Sequence, residues 1–260
     1  MELVNLNKKS NGVWVCEINR PEKLNALSAQ LIKELTQVFQ DAAQAANKFE
    51  CRAFLLKSSS PKAFCVGADL AERKGLDDAG VVEALDSLRK LTQSLENIPC
   101  PTLALVEGAA FGGGLELALC CDLRAASDKA TMGLTETRLA IIPGAGGTQR
   151  LTRLIGPAKS KELIFSGKRL SAAEALSFGL LNTLSSEAEK WANEYLDGVV
   201  EGGPVALLAA KEAVNNGLNK SISEALDVER TAYLRTLKTE DRHEGLKAFA
   251  EKRKPQYKGC

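Results

Sequence analysis

Apolar and polar positions follow two periods along the first half of the chain, and the switches between them mark strands and helices. Val13-Trp14-Val15-Cys16-Glu17-Ile18 is β-branched and aromatic and runs into Asn19-Arg20-Pro21, which predicts a strand ending in a loop. Ser28 then stands as an N-cap. Leu27, Leu31, Leu35, Val38, Phe39 and Ala42 recur at spacings of three and four, the stripe of an amphipathic helix. Ala53-Phe54-Leu55-Leu56 predicts the next strand. After a loop through Gly67, a second helical stripe runs Val81, Leu85, Leu88, Leu95, Ile98 and is stopped by Pro99. Thr102-Leu103-Ala104-Leu105-Val106 is a short, nearly continuous apolar run that fits a buried strand.

Strand and helix thus alternate to roughly residue 150, which predicts an α/β core with parallel pairing and helices covering the sheet. Beyond Pro204 the period changes. Leu207, Val214 and Leu218, then Ile222, Leu226, Tyr233 and Leu237, then Leu246 and Phe249 read as consecutive helices with no strand between them. Residues 1–200 are therefore expected to form the core and 201–260 a helical region. The apolar stripe of that tail requires cover, from its own core or from a neighbouring subunit.

Composition narrows the picture. With 260 residues the chain buries one sizeable core, or a main domain with a small appendage. The balance of 34 basic against 33 acidic residues argues against the uniformly basic surface of a general nucleic-acid binder. Cys16, Cys51, Cys65, Cys100, Cys120, Cys121 and Cys260 are odd in number and lack metal-ligand spacing, so they read as reduced thiols with no metal site. The apolar window from Pro101 to Cys121 carries Glu107, Glu116 and three consecutive glycines, and is read as strand, loop and buried helix rather than a membrane span. Met1-Glu2-Leu3-Val4-Asn5 shows neither a signal core nor a presequence. Asn219-Lys220-Ser221 is a chance match to a glycosylation acceptor.

Candidate chemistry gathers at glycine-rich turns. Gly112-Gly113-Gly114 follows a strand and opens a small, apolar helix. Two readings are open there: close packing where no Cβ fits, or free N–H groups at a helix start facing a developing negative charge. Neither a dinucleotide G-x-G-x-x-G nor a Walker A loop is present. Glu116 lies on the first turn of that helix, where the helix start favours an acid on structural grounds alone, but the segment is too apolar to leave a carboxylate without a role. Glu136, among Thr135, Thr137 and Arg138, taken alone reads as an exposed turn. Gly67-Ala68-Asp69 and Ile142-Pro143-Gly144-Ala145-Gly146-Gly147-Thr148-Gln149-Arg150 are further strand-to-helix turns, structural on their own reading. The only histidine, His243, sits in the tail, and a nucleophile at Cys65 has no evident base. Acid/base work therefore falls most naturally to carboxylates.

Four ordered motifs carry a resemblance. Asn19-Arg20-Pro21-Glu22-Lys23-Leu24-Asn25-Ala26-Leu27, Phe64-Cys65-Val66-Gly67-Ala68-Asp69-Leu70, Ala109-Ala110-Phe111-Gly112-Gly113-Gly114-Leu115-Glu116-Leu117-Ala118 and Pro143-Gly144-Ala145-Gly146-Gly147-Thr148-Gln149-Arg150-Leu151 closely resemble the enoyl-CoA hydratase/isomerase (crotonase) family over nearly the whole chain. Stretches Gly114 to Leu119, Met132 to Pro143 and Glu251 to Gly259 are most similar to its branch of AU-RNA-binding methylglutaconyl-CoA hydratases and their relatives.

The resemblance implies an α/β spiral of β-β-α units with a C-terminal helical trimerisation region, self-association as a trimer or a dimer of trimers, and an acyl-CoA substrate with no separate cofactor. It places an oxyanion hole at the backbone N–H groups of Ala68 and Gly113. CoA contacts fall at Lys23, Leu24, Ala26, Ala68, Asp69, Leu70, Ala71 and Gly113. Glu116 and Glu136 match the two catalytic glutamates of hydratases, and isomerases of the family commonly keep only the second. The implied reaction is hydration of a 2-enoyl-CoA, with 3-methylglutaconyl-CoA or a short or medium chain as candidate substrates. The alternatives are isomerisation and RNA binding. The RNA-binding relative carries a lysine comb on its first long helix, and the corresponding positions here are Ala29, Lys33 and Gln37, with Glu34 opposing, so specific RNA binding is not expected. Lys252, Arg253, Lys254 and Lys258 are expected to form a solvated tail or to reach CoA phosphates across a subunit boundary. The expected location is the mitochondrial matrix in a eukaryote and the cytoplasm otherwise.

Overall fold

The computed structural model describes residues 2–260. An antiparallel pair, β1 (Val4–Lys8) and β2 (Val13–Ile18), leads into helix α1 (Ala29–Ala46). Three successive units then share one plan. β3 (Ala53–Ser58) and β4 (Ala63–Cys65) precede α2 (Leu70–Arg73) and α3 (Asp78–Glu96). β5 (Thr102–Val106) and β6 (Ala109–Phe111) precede α4 (Gly113–Ala118). β7 (Leu123–Ala126) and β8 (Thr131–Gly133) precede a 3₁₀ turn (Glu136–Leu139), α5 (Gly147–Ile155) and α6 (Pro157–Ser166). β9 (Leu170–Ser171), α7 (Ala172–Phe178), β10 (Thr183–Leu184) and α8 (Ala188–Val199) complete the core. The tail is α9 (Pro204–Gly217), α10 (Ile222–Thr236) and α11 (Glu240–Ala250).

In each of the three units the first strand enters a large sheet, ordered β1-β2-β3-β5-β7-β10, and the second a small one, ordered β4-β6-β8-β9. Pairing is parallel from β2 through to β10, and parallel again along β4, β6 and β8. This is the spiral of β-β-α units expected from the resemblance. The C-terminal ends of β4, β6 and β8 consequently lie side by side, and each runs directly into a turn that carries a candidate site residue.

Strand periodicity divides the interior in two. Trp14, Cys16, Ile18, Phe54, Leu56, Ala104 and Val106 face a large core closed by α1 and α3, whereas Val13, Val15, Ala53, Leu55, Leu103 and Leu105 face a smaller one closed by Ala188, Ala192 and Leu196 of α8. Ser28 caps α1 by accepting from Leu31 N–H. Phe39 of α1 meets Phe54 edge to face at 5.8 Å. Lys57 at the end of β3 is buried but paired with Glu189 and Glu17, as a buried cation requires.

The tail departs most from a closed monomer. Val214, Leu218, Ile222, Leu226, Tyr233, Leu246 and Phe249 are more than half exposed, Phe249 at 87%. The chain's own core thus leaves that stripe bare. Lys211 anchors the tail through Asp122 at 2.7 Å and Cys100 O at 3.0 Å. Among the described residues no helix is long and apolar enough to cross a membrane.

Candidate active site

Three consecutive glycines serve three separate purposes. Gly112, at φ 51° and ψ −126°, makes the turn out of β6 in a conformation that side-chain-bearing residues rarely adopt. Gly113 begins α4, so its N–H has no intrahelical acceptor. Gly114 lies against the preceding turn: a Cβ there would come within 2.0 Å of Cys65 O. Packing and free N–H groups, the two readings open from sequence, are therefore both present.

Ala68 provides the neighbouring amide. Leu27 N–H donates to Gly67 O at 2.8 Å and Asp69 N–H to Leu27 O at 3.1 Å. These bonds straddle Ala68, whose own N–H has no partner among the described residues. A Cβ built on Gly113 would lie 3.8 Å from Ala68 N, so the two free amides sit together.

The segment carrying Lys23, Leu24 and Ala26 runs beside that turn. Left-handed Leu24 and Asn25 reverse the chain after a short 3₁₀ turn at Pro21–Lys23. Buried Asn25 fixes the reversal, donating to Ser58 Oγ at 2.7 Å and Phe64 O at 3.0 Å and accepting from Arg20 N–H at 2.7 Å. Val66 N–H donates to Leu24 O. Lys23 and Leu24 are exposed and Ala26 is buried. Asp69 accepts from Arg20 Nη1 at 2.7 Å and caps α2 through Ala71 N–H at 3.0 Å, so its carboxylate is held within the protein and Arg20 keeps it below the usual range. Leu70 and Ala71 face solvent.

Glu116 is buried, and its Oε1 accepts two backbone bonds, from Ala145 N–H at 2.8 Å and Gly147 N–H at 2.7 Å. Its Oε2 has no hydrogen-bond partner among the described residues. Burial raises its pKa, the two N–H groups oppose the rise, and Arg150 and Arg73 act in the same opposing sense. Arg150 braces the turn that supplies those amides, bonding Ala145 O at 2.8 Å and forking onto Glu96 at 3.0 and 2.7 Å. The glycine-rich turn at 142–150, structural from sequence alone, thus orients the carboxylate. Ala145, Gly147 and Arg150 carry no sequence signal beyond the motif match.

Glu136 opens the 3₁₀ turn after β8 and is half-buried, not exposed as its neighbours suggest. A Cβ on Gly112 would meet its Oε1 at 3.1 Å, which places the carboxyl against the glycine turn. Its Oε2 is buried without a hydrogen-bond partner. Burial, reinforced by the charge of Glu116, pushes its pKa up to about 7. The two glutamates are therefore held differently beside one pair of free amides. Cys65 is fully buried with its pKa raised to about 12, and His243 lies exposed on α11. Neither suits nucleophilic catalysis.

The chain matches known proteins over nearly its whole length. The family described as enoyl-CoA hydratase/isomerase matches residues 8–260. A probable mitochondrial enoyl-CoA hydratase of Arabidopsis thaliana is 44% identical across 99% of this chain and 86% of its own length. The human mitochondrial methylglutaconyl-CoA hydratase is 42% identical across 98% of this chain and 76% of its own. The crystal structure of an enoyl-CoA hydratase from Bacillus anthracis superposes with a TM-score of 0.96 at 41% identity, covering 100% of both chains. With the fold, the motifs and the full-length match in agreement, the chain belongs to the enoyl-CoA hydratase/isomerase family.

Proposed function

We propose that this protein adds water to a 2-enoyl-CoA thioester to give the 3-hydroxyacyl-CoA. The observation that carries the reading is the contrast between the two carboxyls. Two titratable groups whose surroundings set them apart mark an acid and a base. Glu116, with one oxygen fixed by two amides, presents Oε2 to a water. Glu136, with an unpartnered oxygen and a pKa near 7, holds a proton it can give up.

The thioester oxygen would lie between Ala68 N–H and Gly113 N–H, which favour the charge that develops as water attacks C3. Glu116 takes a proton from that water, the oxygen bonds to C3, and Glu136 delivers its proton to C2. The elements of water are thereby added across the double bond, and transfer of the proton from Glu116 back to Glu136 through solvent resets the pair. No group beyond these residues and the substrate's CoA enters the scheme. Isomerisation requires only the second glutamate, and the immobilised Glu116 favours hydration.

CoA would run over Lys23, Leu24, Ala26, Leu70 and Ala71, with 3-methylglutaconyl-CoA or a short or medium enoyl-CoA as substrate. The bare stripe on α9–α11 supports assembly as a trimer or a dimer of trimers. In the basic tail Arg253 is paired with Glu244 and Glu251, and Lys254 with Glu201, which leaves Lys252 and Lys258 as the cations for CoA phosphates. Of the comb positions on α1 only Lys33 is basic, so RNA binding is not part of the proposal. The test is loss of enoyl absorbance with crotonyl-CoA. Glu116→Gln and Glu136→Gln should each lower kcat by about 100-fold or more, and wild-type rates in both would overturn the mechanism.

A further inference from the structure

Arg150 holds the turn at 145–147 with both its backbone and its side chain. Its backbone N–H donates to Gly146 O at 2.9 Å. Gly146 O and Gly147 N–H share one planar peptide, so this bond sets the direction of the Gly147 donor. Its Nη1 donates to Ala145 O at 2.8 Å, which fixes the peptide plane joining the two residues whose amides hold Glu116. The guanidinium lies where a side chain at 146 would go: a Cβ on Gly146, at φ 101°, would come within 2.0 Å of Nη1.

What keeps the guanidinium in that place comes from α3. Glu96, the last residue of that helix, accepts from Arg150 Nε at 3.0 Å and Nη2 at 2.7 Å. The Arg150 side chain is 17% exposed and that of Glu96 46%, so an acid at the rim anchors a largely buried cation. Such a cation needs a counter-charge. Glu116 is the other carboxylate whose charge acts on Arg150. Without Glu96, the guanidinium is drawn toward Glu116 and away from Ala145 O. α3 meets the same glycine-rich turn at a second point, since a Cβ on Gly144 would strike Leu85 Cδ2 at 2.6 Å.

We propose that Glu96 is a positioning residue for hydration: by holding Arg150 in its fork it keeps the Ala145 and Gly147 amides on Glu116 Oε1, and so keeps Oε2 aimed at the water. The inference rests on the reading of Glu116 as the base. Glu96 lies outside all four family motifs.

Crotonyl-CoA kinetics and hydrogen exchange of the peptide spanning residues 143–151 test this in Glu96→Ala, Arg150→Gln and the double variant. Glu96→Ala should lower kcat by about tenfold and leave KM within about twofold, because a misaimed base costs the transition state and not CoA binding. The amides of the turn should exchange faster by about fivefold or more. Glu96→Gln keeps an acceptor for one guanidinium nitrogen and should recover part of both effects. Added to Arg150→Gln, Glu96→Ala should cost nothing further. Wild-type kcat or wild-type exchange in Glu96→Ala overturns the proposal. So does a loss that falls on KM alone, or one that adds in full to that of Arg150→Gln. Glu116→Gln, run alongside, separates the two readings. If it loses activity while Glu96→Ala behaves as wild type, the positioning fails alone. If it keeps the wild-type rate, the assignment of the base fails and takes this inference with it.

Discussion

Replacing Glu136 with glutamine should stabilise the protein above neutral pH while lowering its activity. The carboxyl has one buried oxygen without a partner, and its pKa stands at about 7 in the fold against 4.5 for a free side chain. Because the proton is held more tightly in the folded chain, folding takes one up between those values, and stability falls as pH rises through that window. The gap corresponds to at most about 3 kcal/mol, and the solvent-facing part of the side chain reduces this to about 1–2 kcal/mol. Glutamine keeps the shape and cannot ionise. At pH 8.5 Glu136→Gln should therefore be more stable than the wild type by about 1–2 kcal/mol, and near pH 4.5 the difference should vanish. Urea unfolding at both pH values and one protein concentration measures it, the fixed concentration guarding against changes in assembly. Stability curves that run parallel in the two proteins would refute the assignment of a strained charge to this carboxyl.

The same proton should shape activity: if Glu136 acts as the acid, kcat/KM for crotonyl-CoA falls as pH rises through about 7, and a flat profile from about pH 6 to 9 would contradict it. A Cβ on Gly147 would come within 2.9 Å of Glu116 Cγ and Oε1, so Gly147→Ala should lower kcat by about tenfold or more with an unchanged circular dichroism spectrum; full activity would show that the orientation of Glu116 is unimportant. Gly114→Ala should cost about 3 kcal/mol or more in urea unfolding, since its Cβ would strike Cys65 O at 2.0 Å, whereas Gly113→Ala, with its nearest contact 3.4 Å away at Leu27 Cδ1, should unfold close to the wild type.

The elements legible in the sequence are those long enough to show a period. α1 follows its stripe, with Leu31, Leu35, Phe39 and Ala42 all buried, and β2, β3 and β5 fall where β-branched and apolar runs place them. In α3 the predicted stripe is only partly interior. Leu88 and Leu95 are buried, while Val81 and Leu85 are half-buried, Leu85 lying where a Cβ on Gly144 would strike it. Short strands escape such reading altogether. β4, β6 and β8 have three residues each, less than two full alternations, yet they assemble the small sheet that positions the site. β1 alternates Val4 and Leu6 with Asn5 and Asn7, as suits an edge strand with one face turned to the core.

The site was legible unevenly for a related reason. Glu116 stands out because the apolar run Leu115 to Cys121 asks more of an acid than the helix-start preference that accounts for most acids in a first turn. Glu136 does not, because its immediate neighbours are polar, and the glycine turn its carboxyl lies against, at Gly112, is distant in sequence. The two amides that hold Glu116 lie about thirty residues beyond it, and no local rule links them.

The placement of strands in the small sheet bears on when this chain acquires chemistry during folding. Ala68 follows β4, Gly113 and Glu116 follow β6, and Glu136 follows β8, so each turn of the spiral contributes one part of the site from an equivalent place. A chain that has paired β4 with β6 brings the two free amides together but lacks Glu136, and lacks also the amides at 145 and 147 that hold Glu116. On the proposed mechanism, activity in a refolding experiment should return only once β8 and the glycine-rich turn at 142–150 have joined β4 and β6.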